Sequence, residues 1–503
     1  MLLANIQPQA IDGKHLFYDG CFQPVSSPQY RDILCPATNK EIGKMAIASS
    51  TDVEKAVFAA QQAFYPWSAL DPMERGRYLR KLADIIADNM ESLAAWESRL
   101  TGRPIREMKA QMSRIPEWLE YFSGIALGLE GESNVLKGGL QASTAYEPYG
   151  VCALLTPWNH PILILVKKMA AALAAGNTVV IKPSELAPST SLVLAYWCAL
   201  AGFPRGVVNV VTGEAETGAA LCASESVRRI DLTGGTETGK RVAAAAAERL
   251  VPCTLELGGK TPVVIFGDTN IDQAAAGAVF AAFVASGQTC VSASRFIVHQ
   301  SVYEPFLAAL KQRTEQLKLG CSSNLTTDVG PVISSASRRR CEQFIEQAKT
   351  QGARLISGAK HAELEGDLAQ GNFVTPTIFA DVTPAMTLFR EEVFGPVIAV
   401  TPFEDEQHAL QLANDTPFSL GASIWTRDIA LAHRMGRRIK AGMIWINDHH
   451  KNDPRSIWSG SGESGYGVEN GWDALKAYCI KRNVVVSCNP TFDDWFAGGS
   501  RYG

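Results

Sequence analysis

Tyr149-Gly150-Val151-Cys152-Ala153-Leu154-Leu155-Thr156-Pro157-Trp158-Asn159-His160-Pro161 is the stretch whose reading decides the fold. Residues 151–155 are a continuous apolar run, as in a strand buried on both faces. Thr156 to Pro161 make a turn at its carboxyl end, residues 162–175 run helical to Gly176, and residues 177–181 form the next apolar strand. Strand, helix, strand in that order predicts an α/β fold with a parallel sheet. Ligands bind at the carboxyl ends of such strands. Asn159 stands at one of these ends. Further along, Lys182-Pro183-Ser184-Glu185 closes a strand, and residues 207–213 follow Gly202-Phe203-Pro204 as another. Ile230-Asp231-Leu232 then runs into Thr233-Gly234-Gly235-Thr236-Glu237-Thr238-Gly239, which opens a helix. Backbone N–H groups at a helix start suit a pyrophosphate. This loop lacks the GxGxxG pattern.

A second stretch carries chemistry. Residues 274–285 read as a buried helix of small apolar residues. Gly287 and Gln288 break it and deliver Cys290 at a turn. Backbone N–H groups there lower a thiol's pKa and ready it to attack a carbonyl. Upstream, Leu255-Glu256-Leu257-Gly258-Gly259-Lys260 sets a carboxylate beside two glycines.

The bulk numbers set limits. At 503 residues the chain is expected to form two or three domains. Hydrophobic content of 46% and charge of 19% describe a soluble globular protein. A net charge of −4 gives no case for nucleic acid or an anionic membrane. Eleven cysteines without a CxxC pair argue against a disulfide framework or a zinc site, and suit a reducing cytoplasm. The first ten residues show no signal peptide, and residues 274–285 are too short to span a bilayer.

Before residue 150, Asp19-Gly20 reads as a turn. Thr51-Asp52-Val53-Glu54 reads as a capping box, with Val53, Ala56, Val57, Ala60 and Phe64 on one face of the helix it opens. Asp71-Pro72 opens a second helix, two more helical stretches run to about residue 127, and residues 138–147 alternate like a strand.

Glu256-Leu257-Gly258-Gly259-Lys260 followed by Phe283-x-x-x-Gly287-Gln288-x-Cys290 resembles the aldehyde dehydrogenase superfamily. The resemblance spans about residues 15–487, with several further motifs in order. It implies a Rossmann-like NAD-binding domain (1–127 and 149–257) and a second α/β catalytic domain (258–472). It also implies an oligomerisation arm with a C-terminal tail (128–148 and 473–503), joining a homodimer or homotetramer. The strand at 483–486 would complete the arm's sheet. The tail's Phe492, Trp495 and Phe496 are too aromatic for a pure linker.

By the same resemblance Cys290 is the nucleophile and Glu256 the general base. The Asn159 amide and the Cys290 backbone N–H form the oxyanion hole, and Lys168 forms a proton path with the base and Glu469. The cofactor falls to Thr156, Pro157, Trp158, Lys182, Ser184, Glu185, Gly213, Thr233, Gly234, Gly235, Gly239 and Leu257. In the motif Arg390-Glu391-Glu392-Val393-Phe394-Gly395-Pro396-Val397, Glu392 positions the nicotinamide ribose and Phe394 flanks the nicotinamide. Lys182 and Glu185 hold the adenosine ribose. A carboxylate that accepts from the 2′-hydroxyl repels a 2′-phosphate, which favours NAD over NADP.

The chain departs from the family where substrate is met. His160 replaces a usual Phe or similar residue, and Lys167-Lys168 stands where Trp-Lys is common. The loop Asp448-His449-His450-Lys451-Asn452-Asp453-Pro454 is strongly polar, and Ser459 and Glu463 sit where Gly and Lys are usual. His160, Ile164, Lys167, His449, His450 and Trp458 are the expected substrate contacts. Ionisable groups there predict a semialdehyde or polar aromatic aldehyde, with Lys167 meeting its carboxylate. Long-chain alkanals or betaine aldehyde are the alternative. A CoA-acylating relative would not need Glu256, and a non-catalytic one would not need Cys290, Glu256, Asn159 and Glu392 together.

Overall fold

The computed structural model describes residues 13–488 and 494–499. Phe492 and the first ten residues lie outside them. Two α/β sheets organise the chain. The larger has eight strands, in the order Gly465–Tyr466, Cys253–Glu256, Val227–Thr233, Val151–Thr156, Thr178–Pro183, Val208–Val210, His15–Tyr18 and Cys21–Pro24. The five from Cys253–Glu256 to Val208–Val210 run parallel.

Val151–Thr156 is buried along its whole length. Cys152 and Leu154 face a core that holds Trp67, Trp118 and Trp197, while Val151, Ala153 and Leu155 face another with Val53, Val180 and Leu255. Helices cover both faces, so no position on this strand is free to be polar. That is why the run is unbroken. The chain steps from this strand to one side (Thr178–Pro183) and later returns to the other (Val227–Thr233). The two connections leave in opposite directions at its carboxyl end and open a crevice there.

The second sheet has seven strands, in the order Arg354–Ser357, Thr377–Ala380, Val397–Phe403, Ala293–His299, Thr261–Ile265, Gly421–Trp425 and Met443–Ile446. All but the first pair are parallel. A third, three-stranded sheet places Leu140–Pro148 between Ser133–Leu136 and Cys479–Ser487. Its last strand is longer than the expected 483–486. Gly465–Tyr466 pairs antiparallel with the strand that ends in Glu256, so the late chain returns to the first sheet's edge.

Local expectations need three corrections. The first capping box is Ser49 with Asp52, two residues before the expected start, and Asp52 also accepts from Ser26 N–H. Its carboxylate is already held by a turn outside the helix, which fixes where the helix begins. The buried face continues through Ala63 and Trp67, leaving Phe64 half-buried. Three further helices, not two, precede residue 127: Met90–Thr101, Ile105–Met112 and Ile115–Ile125. Gly102, with φ 78°, ends the first of these and makes the extra break. Among the described residues no helix is long and apolar enough to cross a membrane.

Candidate active site

The crevice is a cavity of about 260 Å³ lined by Pro157, Trp158, Asn159, Thr233, Gly234, Gly235, Leu257, Gly258, Cys290, Arg340, Glu392 and Phe394. The two sheets contribute from opposite sides. Strand Val151–Thr156 delivers Pro157 to Asn159, Val227–Thr233 delivers the glycine loop, and Cys253–Glu256 delivers Leu257 and Gly258. Cys290, Arg340, Glu392 and Phe394 come from the second α/β unit.

The nucleophile's turn differs from expectation. The helix Ile271–Phe283 ends two residues early, and Ala285, Ser286 and Gly287 then adopt φ of 53°, 56° and 72°. For the two non-glycines this left-handed backbone costs about 1–2 kcal/mol each. Hydrogen bonds offset it: Ser286 Oγ to Gly330 O (2.9 Å), Gln288 Nε2 to Ala285 O (3.1 Å) and Ile333 N to Gln288 Oε1 (2.9 Å). At Gly287 a Cβ would lie 2.5 Å from Gly395 O, so a side chain there would displace the second sheet's loop.

The thiol itself is not activated in this state. Burial, then the neighbouring Glu256 carboxylate, push Cys290 up to about 12, against the lowering influence of Lys167. The expected lowering by backbone N–H groups is outweighed by desolvation. Asn159 is buried, and its Nδ2 donates to Gln288 O at 2.8 Å while its Oδ1 accepts from His160 N at 3.1 Å. The first bond ties the amide to the nucleophile's turn and uses one of its two N–H groups.

Glu256 is buried, and neither carboxylate oxygen has a protein partner. Burial, then the Glu469 carboxylate, raise its pKa well above the usual range, and Lys168 and Lys167 pull it back. Lys168 makes no hydrogen bond to Glu256. It is clasped by Asp231 and by Glu469 (2.5 Å), and Tyr478 OH donates to Asp231 at 2.6 Å. Burial alone would discharge Lys168, but the two carboxylates outweigh it and hold it cationic. Its action on the base is therefore electrostatic in this geometry.

The cofactor residues divide in two. Pro157, Trp158, Thr233, Gly234, Gly235, Leu257, Glu392 and Phe394 line the cavity. Thr156, Lys182, Ser184, Glu185, Gly213 and Gly239 do not. The lining suits the nicotinamide and pyrophosphate end of a dinucleotide, while the residues expected at the adenosine lie outside the cavity. The helix Thr236–Glu248 begins at Gly235, where a Cβ would meet open space, and its first-turn N–H groups suit a phosphate. Glu392 accepts from Gly259 N at 3.0 Å and is pushed up to about 7 by burial. Phe394 packs edge-on against Trp158. Thr156 Oγ1 is buried without a partner. Lys182 and Glu185 pair with each other at 3.6 Å, and Ser184 Oγ accepts from Leu186 N. Gly213 and Gly239 serve close packing: a Cβ would lie 2.1 Å from Thr217 Oγ1 and 2.5 Å from Leu257 Cδ2 respectively. Arg340 was absent from the sequence reading. It lines the cavity while donating to Glu392 O and Val393 O, and no motif announces it.

The substrate-facing residues depart furthest from expectation. Lys167 is buried, bonds Glu469 at 2.7 Å and lies 4.6 Å from the Trp458 ring centre. It does not face solvent, and Glu469 already engages its charge. His449 uses both ring nitrogens, on Ser423 Oγ (2.7 Å) and Val291 O (2.8 Å). It braces the residue after the nucleophile, and burial lowers it to about 4. His450 falls to about 3 through burial, and packs between His160 and Trp458 with ring centres 6.2 Å away. Burial, then Arg103, lower His160 well below its usual value. Its Nδ1 lies 2.7 Å from Arg103 Nη1. The same Nδ1 lies 2.8 Å from Gln111 Oε1, so it faces both a donor and an acceptor, while Nε2 is buried without a partner. All three histidines are therefore neutral, not charged. Ile164 is buried one helical turn before Lys168.

The chain resembles known proteins along nearly its whole length. The aldehyde dehydrogenase family model matches residues 22–484. Betaine aldehyde dehydrogenase of Brucella anthropi is 40% identical over 93% of this chain and 96% of its own length. The Bacillus subtilis enzyme of that name is 37% identical over 96% and 99%. Among solved structures, betaine aldehyde dehydrogenase of Staphylococcus aureus in complex with NAD+ superposes at TM-score 0.95, with 34% identity over 98% and 99% of the two chains. PnpE of Pseudomonas sp. WBC-3 superposes at 0.94, with 38% identity over 97% and 100%. With a half-buried thiol and an unpartnered carboxylate at a crevice between two α/β sheets, and a family match over nearly its whole length, the chain belongs to the aldehyde dehydrogenase family.

Proposed function

We propose that this enzyme oxidises a polar aldehyde, carboxylate-bearing or aromatic, to its acid with NAD, through Cys290 and with Glu256 as the hydrolytic base. NAD, when bound along the glycine loop and Glu392, supplies the hydride acceptor. The chain's own residues do the rest. Cys290 Sγ gives up its proton and adds to the aldehyde carbon. The remaining Asn159 N–H and the Cys290 backbone N–H meet the charge that develops on oxygen. Once the carbon is a thioester, Glu256 takes a proton from water, hydroxide adds to the carbonyl, and the C–S bond breaks to release the acid. An unpartnered buried carboxylate suits a base whose partner is water.

The observation that carries the substrate reading is the Lys167 ammonium over Trp458. The ring face that an onium group would use is already taken by the protein's own cation. Nearby, His160 Nε2 is buried without a protein partner and is left to meet a polar group of the substrate. The second reading, an onium aldehyde, is favoured by the names of the relatives and by the neighbouring rings of Trp445, Trp458 and His450. An aldehyde panel followed by NADH absorbance separates them. An ω-carboxyl semialdehyde or hydroxylated benzaldehyde is expected to exceed betaine aldehyde and a long alkanal in kcat/KM, with NAD above NADP. A preference for betaine aldehyde overturns the polar reading.

We extend the proposal to assembly and place. Val135, Ile480 and Val484 to Val486 leave an apolar strip exposed on the three-stranded sheet, which fits a joining surface for a homodimer or homotetramer. Domain limits of 1–127 with 149–257, 258–472, and the arm with its tail belong to the same reading. So does a reducing cytoplasm, suited to eleven thiols.

A further inference from the structure

The nucleophile and the oxyanion amide sit on different turns from different sheets, and one buried pair from a third region touches both. Glu107, on the helix Ile105–Met112, accepts from Ala285 N with both oxygens, at 3.2 and 3.0 Å. Ala285 is the first of the left-handed residues that swing Cys290 into the cavity. Arg103 pairs with Glu107 at 3.3 Å, and its Nη1 reaches Gln111 Oε1 (2.7 Å), His160 Nδ1 (2.7 Å) and Asn159 O (3.4 Å). Arg103 is only 4% exposed. Neither side chain lines the cavity.

We propose that Arg103 and Glu107 are positioning residues that set the separation between the Cys290 sulfur and the Asn159 amide. The inference rests on the roles proposed above for those two residues. Removing Glu107 frees the Ala285 N–H and lets the left-handed turn relax. Removing Arg103 frees the Asn159 backbone and leaves the Asn159 Nδ2–Gln288 O bond as its remaining link to that turn. A misplacement of about 1 Å between reacting groups costs on the order of a hundredfold in rate.

The test is a double-mutant cycle. Arg103→Met and Glu107→Ala are each expected to lower kcat tenfold to a hundredfold while NAD affinity, read by protein fluorescence, stays within twofold. In an Asn159→Ala background, Arg103→Met is expected to change kcat/KM by less than twofold, because the group it positions is gone. Glu107→Gln, which keeps an acceptor for Ala285 N–H, is expected to recover most of the loss, and Glu107→Ala to alter the rate of Cys290 alkylation by iodoacetamide. If Arg103→Met does not fold, Arg103→Lys carries the same cycle, since an ammonium cannot span both turns. Multiplicative losses in the cycle, or wild-type kcat in both single variants, overturn the proposal. Cys290→Ala and Asn159→Ala run alongside. Full activity in those overturns the assigned roles themselves, whereas loss there with a normal Arg103 variant overturns the positioning pair alone.

Discussion

The two sides of Cys290 are built on different logic. Toward the cofactor, the lining is mostly turns at strand ends: Pro157, Gly234, Gly235, Leu257 and Gly258 contribute backbone and small surfaces. On the side proposed for substrate stand long polar and aromatic side chains whose charge and direction are set by residues far away in the chain. Lys167 answers to Glu469 and Trp458, and His160 to Arg103. A backbone cradle follows from local sequence alone. A side-chain pocket takes its character from its partners, so the same residue types admit opposite substrates depending on what they already hold.

Three measurements press on that contrast. Cys290→Ala removes the group both sides serve. Turnover is expected to fall by at least roughly 10⁴-fold, while NAD affinity is retained, since the cradle does not depend on the thiol. Parallel loss of NAD binding would tie the two sides together and break the comparison. Glu256→Gln is expected to slow steady turnover by roughly 10²–10⁴-fold yet leave a pre-steady-state burst of NADH. Burst and steady rate falling together would place Glu256 at the activation of Cys290, whose thiol it already pushes upward.

Lys167→Met gives the smallest effect and is the sharpest probe of the substrate side. Lys167 lowers the Glu256 pKa, so its loss lets burial and Glu469 raise that pKa further. Glu256 acts deprotonated, so the acid limb of the kcat profile is expected to move to higher pH, with a severalfold loss at neutral pH. Selectivity is expected to shift from carboxylate-bearing toward onium aldehydes as the Trp458 face clears. An unmoved acid limb and unchanged selectivity would mean that Lys167 only fills space.

These contrasts explain what the sequence made legible. The strand Val151–Thr156 could be read because burial on both faces leaves only apolar residues possible. Cys290 and Asn159 stand just past a helix or strand end and Glu256 at one, each beside glycine or proline, which is why the sequence singled them out. The early helices were misjudged where a tertiary partner decided the boundary, as Ser26 does for Asp52. The histidines could be read only as ionisable, because a residue letter carries no desolvation. His449 was assigned to substrate although both its nitrogens serve the protein. Arg103 and Arg340 gave no local sign, since their roles exist only once distant turns meet.

Lys168 and Glu469, which together tune the base, lie 301 residues apart. The strand Gly465–Tyr466 then closes over the very residues, Leu255 and Glu256, that present that base. Contacts at such separation form late. During synthesis, then, a ribosome-bound chain that has passed Cys290 carries Asp231 but has neither the Glu469 carboxylate nor the edge strand that pairs with Leu255 and Glu256. Activity is therefore expected to appear only once the last strands dock, well after the cysteine has been made.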